Sequence, residues 1–233
     1  MKKTLKLWII PAIFFVVCCI LNLYGDLSSD ELARCTKPAL LPLLALTTLA
    51  ALAEKSGWDK RKAAFLLTAQ LFGFAGDTML LGSANGFLFF AGGILLFLIG
   101  HVFYISLFGG ISWKGMKPWQ WAIGLAACVA VTACLLVVLK VSGTMFAPMA
   151  VYAFMLALLM FSALAGALRK GGALWWLLFV GTVTFTFSDS LIAVRTFTGL
   201  SEFMGGFMVM FTYLVAQSIL AFVGYKLVSD KVE

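Results

Sequence analysis

Eight apolar runs, at residues 5–24, 37–53, 62–81, 86–108, 119–139, 145–168, 173–194 and 203–228, decide what this chain can become. At about 1.5 Å per residue each is long enough to cross the roughly 30 Å hydrocarbon core of a bilayer as a helix. The runs show no ten-residue alternation of apolar and polar positions, which excludes an outer-membrane type of barrel. Apolar residues make up 63% of the chain and charged residues 12%, against about a quarter charged in soluble proteins, so little is left for a soluble domain. The expectation is all-α: a polytopic transmembrane helical bundle of eight spans, one domain over residues 1–233. The first run follows Met1-Lys2-Lys3 as in a signal peptide. However, Cys18-Cys19-Ile20-Leu21-Asn22 offers no small-residue cleavage site, so it is read as a retained span. The second run opens on Lys37-Pro38, where proline is expected as an early helical residue.

Eight spans sort the basic residues cleanly. Lys2, Lys3, Lys6, Lys55, Lys60, Arg61, Lys62, Lys114, Lys117, Arg169, Lys170, Lys226 and Lys231 share one side, thirteen in all, and Arg34, Lys37, Lys140 and Arg195 share the other. By the positive-inside rule both termini are cytoplasmic. The net charge of +7 is dispersed in short loops, as membrane orientation requires, and nucleic-acid binding is rejected. Five cysteines include no C-x-x-C pair, and four lie inside apolar runs, a poor set for disulfides or zinc. His101 is the only histidine, so a metal site needing two or three imidazoles is impossible and no metal is expected.

The polar residues inside the runs carry the functional reading. Asp77 and Asp189 sit among Phe, Leu, Ala and Gly. An aspartate at a helix centre is unfavourable by about 2.5–3.5 kcal/mol, so an intramembrane carboxyl is a functional site by default. Both spans run outward, placing each aspartate in the outer half at similar depth, roughly 22–24 Å up at 1.5 Å per residue. His101 falls lower, and its contact with either aspartate would require tilt or a water chain. Helical spacing aligns Gln70 with Asp77, Thr182 and Thr186 with Asp189, His101 with Tyr104, and Tyr213 with Gln217. These groups could line one polar cavity, or the threonines and Gln217 could simply join helices. Lys37 and Arg195, outer-side cations at aspartate depth, could each hold a phosphate, pair with a carboxylate, or snorkel to the headgroups. Asp26, Asp30 and Glu31 read as a solvated outer loop, and Gly82-Ser83-Ala84-Asn85-Gly86 as the turn between the third and fourth spans.

Five stretches in order suggest a family: Thr36-Lys37-Pro38, Phe74-Ala75-Gly76-Asp77, Gly100-His101-Val102-Phe103-Tyr104, Phe187-Ser188-Asp189-Ser190 and Thr212-Tyr213-Leu214-Val215-Ala216-Gln217. Their order and the eight-span layout resemble the YhhN-like lysoplasmalogenases. Gly181-Thr182-Val183-Thr184-Phe185 departs from the Gly-Ala and aliphatic stretch expected before Ser188. The resemblance implies hydrolysis of the vinyl-ether bond of lysoplasmalogens, giving a fatty aldehyde and a glycerophospho-headgroup, with Asp77 and Asp189 as the catalytic candidates. Lys37, His101, Tyr104, Ser188, Arg195, Tyr213 and Gln217 are the supporting candidates. Lysophospholipid substrate and membrane lipid are the partners implied, without a cofactor, in a bacterial inner membrane.

Vinyl-ether hydrolysis begins with protonation of the alkene carbon, giving an oxocarbenium ion that water captures as a hemiacetal. It needs a protonated acid near neutral pH and an anion to stabilise the cation, and two carboxyls can divide those roles as they do in glycosidases. Neither aspartate has a fixed role from sequence, although Asp77, with fewer polar neighbours, is the better guess for proton donor. His101 or Tyr104 could relay protons. A proton-coupled carrier of small molecules or lipids could use the same carboxyls, and a non-catalytic lipid-binding scaffold would leave them silent.

Overall fold

A computed structural model of the chain describes residues 6–83, 86–198 and 202–229. Eight long helices carry nearly all of it: α1 (Ile9–Ser28), α2 (Asp30–Ala53), α3 (Lys60–Leu81), α4 (Phe87–Ser112), α5 (Pro118–Val138), α6 (Phe146–Arg169), α7 (Ala173–Thr198) and α8 (Glu202–Ser229). All eight are long and apolar enough to cross a membrane, and the described residues contain no strand. Ala84 and Asn85 of the expected turn, and Lys2, Lys3 and Lys231 of the charge count, lie outside the described residues.

Burial is inverted relative to a water-soluble protein. Ile13, Phe14, Leu88, Val137, Val151 and Leu168 are exposed, whereas Gln70, Asp77, His101, Ser188, Asp189 and Gln217 are buried. Lipid in place of water explains both facts, because hydrocarbon accepts apolar side chains and offers polar ones nothing.

The helix ends follow local chemistry. Ser29 is the single residue between α1 and α2; its side chain accepts from the Leu32 N–H, and Asp30 and Glu31 follow in the first turn of α2, where the helix dipole favours acids. The acidic outer loop expected from sequence is therefore absorbed into helix: Asp26 belongs to α1, and Asp30 and Glu31 open α2. Pro38 and Pro42 consequently fall inside α2 instead of near its start. Each removes a backbone donor to the carbonyl four residues earlier, at Arg34 and Pro38. Asp59 caps α3 by accepting from the Lys62 N–H at 3.1 Å, and that bond holds its carboxyl below the ordinary carboxylate range. Its contribution to stability is therefore present at neutral pH and is lost as pH falls through the lowered value. Gly171 and Gly172, with φ of +70° and +87°, end α6 in the left-handed region where a side chain is strained.

The chain divides into two compact units. The first comprises residues up to Phe103 and from Ala221 onward, and the second runs from Tyr104 to Leu220. In the first, α3 and α4 approach closely through glycines: a Cβ on Gly100 would stand 3.2 Å from the Ala69 carbonyl oxygen, and one on Gly93 3.3 Å from that of Gly76. The Asp59 N–H bonds the Val228 carbonyl, tying the start of α3 to the end of α8. In the second unit, Arg169 donates to the Ser112 and Lys114 carbonyls and satisfies the end of α4. Gly124 lies against Phe161, and Gly166 against Trp175.

Gly25 gives the sharpest test of this packing, because a Cβ there would lie 2.5 Å from the Ala33 backbone nitrogen, an atom that cannot turn away. Gly25→Ala should lower stability in detergent by about 2 kcal/mol, the scale of overpacking. Gly57→Ala, with open space around it, should leave the thermal midpoint unchanged. Equal midpoints for the two variants would contradict the close α1–α2 contact.

Candidate functional site

In the first unit, α2 and α3 run antiparallel and share a polar seam. Arg34 Nη2 donates to the Leu81 carbonyl at 3.4 Å, Lys37 Nζ stands 3.8 Å from Asp77 Oδ1, and Gln70 Nε2 donates to Thr48 Oγ1 at 3.3 Å. The seven residues from Gln70 to Asp77 make two turns, so the last two rungs are about 10 Å apart on one face. Of the alternatives open for Lys37, the structure places it beside a carboxylate, with the Lys37 side chain 20% and the Asp77 side chain 4% exposed. Lys37 lies in the second turn of α2 rather than at a helix end, because α2 starts at Asp30. On its other side α2 meets α1, where Asn22 Nδ2 donates to the Ala33 carbonyl and to Thr36 Oγ1.

Gln70 departs from ordinary helix-to-helix joining. Its side chain has no exposed surface, and Oε1 accepts no hydrogen bond from the described residues. An intramembrane bond such as Gln70–Thr48 contributes about 0.6 kcal/mol on average. An unmet buried acceptor costs about 1–3 kcal/mol. The rung is therefore unfavourable as packing alone. His101, fully buried, follows Gly100, whose contacts are Ala69, Phe72 and Gly73, so it lies at the level of Gln70, below Asp77, as its depth on the fourth span predicts.

In the second unit, the Tyr152 hydroxyl on α6 donates to Asp189 Oδ2 on α7 at 2.5 Å. Both are buried. Gly166 and Trp175 touch fourteen residues further along α6 and fourteen back along α7, so one antiparallel register makes both contacts. The Ser188 hydroxyl donates to the Val209 carbonyl of α8 at 2.9 Å, and Phe185 meets Tyr213 edge-on, with centroids 5.8 Å apart. Tyr104 donates to Gln217 Oε1 at 2.9 Å, joining α4 to α8.

Several sequence expectations change in the detail. Thr182 and Thr186 share the buried stripe of Asp189, yet their hydroxyls donate to the Phe179 and Thr182 carbonyls of their own helix. They neither join helices nor present protons to a cavity. Arg195 is in the last turn of α7, and its side chain lies outside the described residues. Sequence reasoning passed over Tyr152, although it is the only tyrosine of its span, and Thr48, whose role depends on the register of α2 against α3. No group of three or more His, Cys, Asp or Glu that could hold a metal occurs among the described residues.

Eight helices among the described residues are long and apolar enough to cross a membrane, and each unit buries a partnered carboxyl, which defines an integral membrane protein. Residues 32–223 match the model of the YhhN family, and the chain belongs to that family. No curated protein and no solved structure matches it.

The Tyr104–Gln217 bond has a measurable consequence. Tyr104→Phe leaves Gln217 Oε1 buried without its tyrosine donor, and should lower stability by about 1–3 kcal/mol. Adding Gln217→Leu should restore most of that loss in thermal unfolding, whereas additive losses would deny the pairing.

Proposed function

We infer that this protein is an intramembrane hydrolase that cleaves the vinyl-ether bond of 1-alkenyl lysophospholipids to a fatty aldehyde and a glycerophospho-headgroup. The observation that carries the reading is a pair of buried carboxyls, each with its own partner: Asp77 with Lys37, and Asp189 with Tyr152. Membership of the YhhN family supports it.

The reaction asks one group to give a proton and another to carry negative charge. The Lys37 ammonium balances a charge on Asp77, which suits Asp77 to stabilise the oxocarbenium ion. That reverses the expectation that Asp77 is the donor. Asp189 then protonates the alkene carbon, with the Tyr152 hydroxyl orienting its carboxyl through Oδ2. Water adds to the resulting cation, and its proton returns to a carboxylate. The hemiacetal collapses, its carbon–oxygen bond breaks, and the glycerol oxygen leaves as an alcohol. General acid–base assistance of this kind is on the order of 10²–10⁴-fold.

The test is aldehyde release by the purified protein in detergent from a 1-alkenyl lysophospholipid, beside the saturated 1-alkyl analogue. Release should come from the alkenyl compound alone. Asp77→Asn and Asp189→Asn should each lower kcat at least about 100-fold in protein that remains folded at the assay temperature. Tyr152→Phe, which removes one neutral hydrogen bond, should lower it about tenfold. If the carboxyls act in one step, the double Asp variant should be no slower than the slower single one. A folded preparation that releases no aldehyde would overturn the reading, and proton-driven uptake into liposomes would then be the experiment to make.

A further inference from the structure

Two buried amide oxygens of the first unit, Asn22 Oδ1 and Gln70 Oε1, accept no hydrogen bond from the described residues, and Gln70 is the one that shares α3 with Asp77. Thr48 donates its own proton to the Leu44 carbonyl at 2.9 Å. Its oxygen can therefore only accept from Gln70, which fixes the Gln70 amide with Nε2 toward Thr48 and Oε1 turned away. That oxygen is fully buried and accepts nothing from the described residues. An unmet buried acceptor costs more than the Thr48 bond contributes, and a hydroxyl donor from a ligand would meet it.

We propose that Gln70 is the specificity-determining residue for a lysophospholipid: Oε1 accepts a hydrogen bond from the free hydroxyl on the central glycerol carbon while Lys37 holds the phosphate. The inference rests on the hydrolase reading for its substrate class. Lys37 faces Asp77 and Thr48 faces Gln70, so ammonium and amide oxygen are about 10 Å apart along the seam. A phosphoglycerol group with a hydrogen bond of about 2.8 Å at each end bridges a gap of that order. The ammonium has three N–H donors, so it can meet a phosphate oxygen beside Asp77, and its 20% exposed side chain is reachable. A diacyl lipid carries an ester at the central carbon. It has no proton to give, and it would set acceptor against acceptor. A polar group built to bond a hydroxyl rejects the analogue lacking it far more strongly than an apolar pocket does.

The experiment measures binding by the full chain in detergent of two saturated 1-alkyl glycerophosphoethanolamines, neither of which is cleaved. One bears the 2-hydroxyl and the other is its 2-deoxy counterpart. The wild type should bind the hydroxyl compound at least about tenfold tighter. Gln70→Met should bring the two affinities within about twofold, and Gln70→Glu, which keeps an acceptor, should preserve the preference. If Gln70→Met does not fold, Gln70→Asn, whose amide is one methylene shorter, carries the same comparison. Equal binding by the wild type, or a ratio unchanged in the Met or Asn variant, overturns the proposal. Because these ligands are not hydrolysed, discrimination that persists in a protein releasing no aldehyde would retain Gln70 as the hydroxyl reader and remove only the hydrolase reading.

Discussion

A carboxylate surrounded by hydrocarbon cannot stand alone, and much of this structure is arranged around that constraint. Asp77 is only 4% exposed and is answered by Lys37 on the neighbouring helix. For the ammonium to reach it, α2 and α3 must run antiparallel in one register. That same register brings Arg34 to the Leu81 carbonyl and Gln70 to Thr48. The ion pair and the seam beneath it are thus one geometric statement. In the second unit a hydroxyl answers a carboxyl, and the α6–α7 register that pairs Tyr152 with Asp189 is also the one that seats Trp175 against Gly166.

Such registers demand close helices, since a hydrogen bond between side chains as short as Gln and Thr permits little separation. In the first unit Gly73, Gly76, Gly93 and Gly100 let α3 and α4 approach nearly backbone to backbone, the small-residue device of membrane helices. In α2, Pro38 and Pro42 withdraw two backbone donors in the turns around Lys37. The carbonyls four residues earlier, at Arg34 and Pro38, lose their helical donors in a region where lipid supplies none.

Existence and type of the helices were legible from sequence because lipid imposes one rule on every span, enough apolar residues to cross. Their ends were less legible. A one-residue link at Ser29 looks like a loop when Asp26, Asp30 and Glu31 surround it, yet Ser29 and the first-turn acids are good helix starters. Asp77 and Asp189 stood out as ionisable groups in apolar runs. Their partners did not: Tyr152 and Thr48 acquire meaning only through the pairing of two helices, and no periodicity within one span encodes that register. The threonines beside Asp189 misled for the complementary reason, since a hydroxyl on a membrane helix can satisfy itself on the carbonyl four residues back.

Lys37 and Asp77 hold the seam together as one interacting pair, and a double-mutant cycle measures their interaction directly. Thermal unfolding in detergent would be compared for the wild type, Lys37→Met, Asp77→Asn and the double variant. Each single change leaves one buried polar partner behind and should lower stability by about 2 kcal/mol, a figure reduced for the exposed part of the lysine. The double variant, having neither, should be no less stable than the weaker single one. Losses that simply add would mean the two groups do not interact, and the seam on which the site is built would have to be redrawn.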